Sequence, residues 1–189
     1  MNLDFVQLSI PSDCNIIVGQ SHFIKTVEDI AEIMAGSVPG AQYGLAFSEA
    51  SGPCLVRTAG SSPELEAAAR DCALAVGAGH SFYLILGPGA YPINVLDRIK
   101  ACPEVCRVFA ATANPLQVVR AVTEQGAGIL GVVDGNSPKG VEGEADKVVC
   151  LEIETGLGAI GYFYEDFSQV TDAEVIAALA AAPQAKPES

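Results

Sequence analysis

At 189 residues the chain is long enough for one domain with a sizeable core and short for two. Half of its residues are apolar, 17% are charged and the net charge is −13, which excludes a nucleic-acid binder, because no basic patch offsets repulsion from backbone phosphates. No apolar run reaches the roughly 18 residues of a membrane helix, and the start MNLDFVQLSI lacks the basic and apolar regions of a secretion signal, so a cytoplasmic location away from membranes is expected.

Residues 3–9 alternate apolar and polar, as a half-buried strand does, and residues 14–18 supply a second strand. There follows GQSHFIKT, residues 19–26, read as a polar loop. Apolar residues then recur at Val27, Ile30, Ile33 and Met34 with helical spacing. Thr26 with Asp29 three residues on fits a capping box, so the spacing predicts a helix starting there. Its first turn offers unpaired N–H groups and a partial positive charge, an anion-friendly place. Gly19, Lys25 and Thr26 fit the spacing of a phosphate-binding P-loop, but Ile24 stands where the second glycine is needed, so this is not a true P-loop.

Residues 42–47 and 54–58, joined by SEASG, have the outline of a hairpin. Ser62-Pro63 opens a helix through Val76, with Ala67, Ala68, Cys72, Ala75 and Val76 as the expected buried face. Glycines 77 and 79 stop it and deliver His80-Ser81 onto an apolar strand, 82–86. A short helix over 93–101 and a strand over 105–110 follow. Three valines in 116–124 and the sequence QGAG favour a hairpin with 129–133, which ends at Asp134-Gly135. That Asp-Gly is read first as a turn and second as a magnesium-holding aspartate. A last strand over 147–153, a helix over 172–182 and a disordered tail, 183–189, complete an α/β fold: a single domain with a mixed sheet flanked by helices in α/β/α layers.

Six cysteines with no export signal are expected to be free, mostly buried thiols. Cys102-x3-Cys106 has no second pair beside it, and no metal site is expected. The chemistry-bearing side chains fall at strand ends, where open α/β sheets bind ligands. They are Ser21, His22, Lys25, Thr26, Glu49, His80, Ser81, Asn94, Asn114, Gln117 and Asp134. A histidine beside a lysine at a helix start suits a nucleophile or acid/base acting on phosphate.

The stretches IIVGQSHFIKTVED, GLAFSEASG, GAGHSF, YPINVL, ATANPLQVV and TEQGAGILGVVDG, in that order, closely resemble the adenosine-specific kinase family of archaea and bacteria. The resemblance implies binding of adenosine or AMP, a histidine able to carry a phosphoryl group, and a compact homotrimer with sites near subunit boundaries. Only His22 and His80 can be that acceptor, and His22 is the preferred one; the expected scheme has Lys25 and the helix start neutralising the phosphate and Glu49, Asn114 and Gln117 recognising base and ribose. No cofactor is firmly implied; ATP with Mg2+ is the candidate donor system. The alternative is a non-catalytic nucleotide sensor acting through oligomer contacts. On this reading residues 1–146 form the family-like domain and 147–182 an extension packed on it, since relatives usually finish with a charged helix near Asp146.

Overall fold

The computed structural model describes residues 2–140. The strand, helix and tail expected beyond Asp146 lie outside the described residues.

Among the described residues eight strands and three helices follow in the order β1 (Asn2–Gln7), β2 (Asn15–Ser21), α1 (Thr26–Ser37), β3 (Tyr43–Ser48), β4 (Val56–Gly60), α2 (Pro63–Val76), β5 (Ser81–Leu86), α3 (Leu96–Lys100), β6 (Val105–Thr112), β7 (Leu116–Val122) and β8 (Ala127–Asp134). A 3-10 turn, Pro92–Asn94, precedes α3. The α/β class with helices on both faces of a sheet is as expected. The strands, however, divide between a five-stranded sheet, β4-β3-β5-β2-β6, and a three-stranded sheet, β1-β7-β8. Every ladder within them is antiparallel, where a mixed sheet was expected. The reason is β5. It inserts between β2 and β3, antiparallel to both, and so separates the two strands that the α1 crossover would otherwise make parallel neighbours.

The central strand β5 is buried along its whole length. Phe82, Leu84 and Leu86 face α1 and α3, joining Ile17, Val27, Ile30, Leu45, Phe47 and Ile99 in one core. Tyr83 and Ile85 face the other way, toward Leu65, Ala69, Cys72 and Val76 of α2 and toward Leu116 and Val118 of the small sheet. This two-sided burial is why β5 reads as a continuous apolar run and not as an alternation. It also fills the layer plan: α1 and α3 on one face, α2 with the small sheet on the other.

Two glycines explain close approaches. A methyl on Gly44 would overlap the Leu65 backbone, so the glycine lets α2 lie directly on β3. Gly19 lies within β2 at a register shift against β6, where a side chain would strike the Phe82 ring. It therefore serves sheet packing and does not cradle phosphate.

Ser62 caps α2, its hydroxyl accepting from Leu65 N at 3.4 Å, and Gly77 closes the helix in the left-handed region. The buried face of α2 is Leu65, Ala69, Cys72, Ala73 and Val76. Cys72 and Val76 were expected there; of the other expected residues Ala67 and Ala68 are half-buried, Ala68 packing on the core, and Ala75 is exposed. Burial pushes the Cys72 thiol up to about 11. Cys14, Cys72 and Cys102 are buried free thiols, whereas Cys54 and Cys106 are exposed.

Candidate functional site

Because β5 lies between β3 and β2, three chain segments meet at one end of the large sheet: Ser48-Glu49 leaving β3, Ser21-His22 leaving β2, and Gly79-His80-Ser81 entering β5. His80 joins them. Its N–H donates to Ser48 O at 2.7 Å and its carbonyl accepts from Ser21 N at 2.9 Å. To make both bonds it adopts φ +61°, a left-handed conformation uncommon outside glycine, and its ring stacks on Phe47 with centroids 5.9 Å apart.

The polar loop is shorter than expected, because β2 continues through Ser21. The exposed residues His22 to Lys25 remain. His22 N donates to Glu104 O at 3.0 Å, while its ring packs loosely beside Phe23 and has no hydrogen-bond partner among the described residues. The expected capping box does not form. Thr26 is the first helical residue and buried; its hydroxyl donates to Phe23 O at 2.5 Å and pairs with Ser21 Oγ at 2.8 Å. Asp29 instead meets Lys25 Nζ at 2.5 Å, and this carboxylate holds the lysine above its ordinary pKa. A Thr hydroxyl that finds two local partners has no reason to turn toward its own helix amides. The start of α1 therefore carries no side-chain cap.

On the α2 side of this end lies a cleft of about 570 Å³, with Glu49, Ala50 and Cys54 on one wall and Thr123, Gln125, Gly126 and Gly128 on the other. A parallel bridge between Ala78 and Ala127 sets the two glycine-rich loops against each other. Glu49 has one carboxylate oxygen on Leu55 N at 3.2 Å, and its other has no partner among the described residues. A smaller cavity of about 110 Å³ adjoins it, lined by Gln20, Ser81 and Phe109. Ser81 itself is satisfied, donating to Ala78 O at 2.6 Å and accepting from Tyr83 Oη at 3.1 Å. The β7–β8 turn as a wall of this cleft was missed by sequence reasoning; QGAG reads as a mere turn until the bridge brings it across to the other glycine loop.

The remaining candidates lie at the opposite end of the sheet, roughly 20 Å away along β2. Asn94 holds its own turn, accepting from Tyr91 N at 2.9 Å. Asp134 accepts from Thr112 Oγ1 at 2.8 Å and from Asn114 Nδ2 at 3.0 Å, and Gly135, at φ +64°, returns its N–H to Pro115 O. This is the turn reading of Asp-Gly. Gln117 pairs with Gln7 and Val133 in the small sheet. Within one chain, Asn114 and Gln117 do not meet Glu49 or His22.

The adenosine-specific kinase family model matches residues 6–162. The chain belongs to that family. The match reaches past Asp146, where the family-like stretch was expected to stop. A crystal structure of the PH1918 protein from Pyrococcus horikoshii OT3 is similar, at 40% identity and a TM-score of 0.72, covering 75% of this chain and 87% of that one. A comparison with curated proteins finds no match. GQSHFIKT, SEASG and GAGHS meet at the His22 end, and no helix among the described residues is long and apolar enough to cross a membrane.

Proposed function

We propose that the protein binds adenosine or AMP in the glycine-lined cleft and passes a phosphoryl group through His22. The observation that carries this is the contrast between the two histidines at one strand-end cluster. His22 is exposed at an uncapped helix start beside Lys25, whereas His80 is fixed by its backbone and stacked on Phe47. A free imidazole can turn to a phosphate; a clamped one can only shape the site.

With a nucleoside triphosphate as donor, the lone pair of a neutral His22 nitrogen attacks the terminal phosphorus. The bond to the diphosphate oxygen breaks, and the other ring nitrogen gives up its proton as the phosphohistidine forms. Transfer to the nucleoside hydroxyl then restores the imidazole. Lys25 and the start of α1 offset the charge on the phosphoryl oxygens. The free Glu49 oxygen accepts from ribose hydroxyls. Lys25 must leave Asp29 to take part.

The resting Lys25–Asp29 pair also favours a second reading, a nucleotide sensor without turnover, because it keeps the cation off His22. Assembly into a homotrimer belongs to either reading. Support comes from the outer face of the small sheet, where Leu3, Phe5, Leu130 and Val133 are exposed with no charged side chain among them.

Calorimetric titration with adenosine and AMP, followed by intact mass after ATP, separates the readings. Binding with a gain of one phosphoryl group, lost in His22→Ala and kept in His80→Asn, is the expected result. Binding without mass gain or turnover would establish the sensor, and absence of binding would remove the nucleoside assignment.

A further inference from the structure

A second cleft, of about 540 Å³, lies on the other side of the His22 loop, lined by Lys25, Asp29, Glu32, Arg98, Cys102 and Glu104. Within it Asp29 of α1 and Cys102 and Glu104, from the turn between α3 and β6, each bring a donor atom within 4.8 Å of the other two. Cys102 is only 7% exposed, and its thiol has one hydrogen bond among the described residues, to Glu104 Oε2 at 3.2 Å, inside the trio. Glu104 has no ion-pair partner among the described residues; the one cation on the cluster is Lys25, on Asp29 at 2.5 Å. A buried thiol aimed at two carboxylates, with one exposed ammonium for compensation, is a poor arrangement for packing alone.

It is a good arrangement for a metal. We propose that Asp29, Cys102 and Glu104 form a binding site for a thiophilic divalent cation such as zinc, taken in exchange for the Lys25 ammonium. Zinc holds sulfur at about 2.3 Å and carboxylate oxygen at about 2.0–2.2 Å, which places tetrahedral ligands within about 4 Å of one another, a short side-chain movement from the spacing here. The mixed sulfur and oxygen set disfavours magnesium and calcium, which take oxygen alone. On binding, the Cys102 thiol loses its proton to solvent and the metal–sulfur bond replaces it. Three protein ligands leave the fourth position open to the cleft.

The site is built into the His22 loop, since Glu104 accepts the His22 N–H through its carbonyl and Asp29 holds Lys25 through its carboxylate. Metal on the trio releases Lys25. Where the phosphoryl-transfer reading holds, that release frees the lysine to turn toward His22, so the cation regulates the transfer site.

The test is titration of the full-length, chelator-stripped protein with Co2+, read by the thiolate-to-cobalt absorption band, and with Zn2+ in competition. One equivalent is expected, with the band absent in Cys102→Ser and affinity down at least tenfold in Asp29→Asn and Glu104→Gln. Lys25→Gln should bind about threefold tighter because the competing ammonium is gone. His22→Ala should bind as the parent does, so loss of phosphoryl transfer and loss of the metal are read separately. If Cys102→Ser fails to fold by circular dichroism, Asp29→Asn decides the point. No cobalt band in the parent, a band that survives Cys102→Ser, or Asp29→Asn affinity equal to the parent would each overturn the site.

Discussion

Ser48 shows how much of the site's design rests on single atoms. Its carbonyl takes the His80 N–H, but its hydroxyl is buried with no partner among the described residues. A buried hydroxyl left without a hydrogen bond costs about 1–3 kcal/mol. Ser48→Ala is therefore expected to raise stability by about 1 kcal/mol in denaturant titration, and a loss of similar size would show that the oxygen is satisfied after all. None of this could be read from SEASG, since burial at one atom depends on what the sheet lays over it. Other residue readings failed for a related reason. Gly19 fits a phosphate-loop spacing, but the Phe82 ring that requires a glycine there comes from 63 positions later in the chain. Thr26 and Asp29 have capping-box spacing, yet Ser21 Oγ and Lys25 offer nearer partners than the helix amides.

The elements themselves were more legible than their details. The β3–β4 and β7–β8 hairpins, the Ser62-Pro63 start of α2 and the apolar β5 all follow from alternation, turn residues and caps that act within a few positions. What locks elements together is less local, and Arg120 is the clearest case. From β7 it reaches Asp4 of β1 at 2.7 Å and donates to the Ala75 and Val76 carbonyls at the end of α2, where a cation also suits the helix dipole. Arg120→Met should cost about 1–2 kcal/mol through the uncapped carbonyls alone. The Arg120 hydrogen bond, followed by that from Phe5 N, lowers the Asp4 pKa below its ordinary value of 3.8. The contribution of this pair is thus complete above the ordinary aspartate range and disappears as pH falls through the lowered value. Acid unfolding monitored by circular dichroism should lose that component of its slope in Arg120→Met; an unchanged acid limb would mean the pair contributes nothing.

At the scale of the molecule, the sequence revealed which residues carry chemistry but not which of them share an end of the sheet. That depends on strand order, and order depends on β5 inserting between β2 and β3, which no local pattern announces. The outcome leaves His22, Lys25, Glu49 and His80 at one end and Asn94, Asn114, Gln117 and Asp134 at the other. If copies assemble through the outer face of the small sheet, Phe5→Glu should reduce the mass found by light scattering toward that of one chain while the circular dichroism spectrum is kept. An unchanged mass would place the contact elsewhere. The same sheet also sets a timetable for synthesis. Every pairing of the five-stranded sheet is complete by Thr112, but β1, made before every other described strand, has its partner in residues 117–122. The emerging chain can close its larger layer while its leading strand waits, and Arg120 arrives with β7 to fasten that strand and the end of α2 in one step.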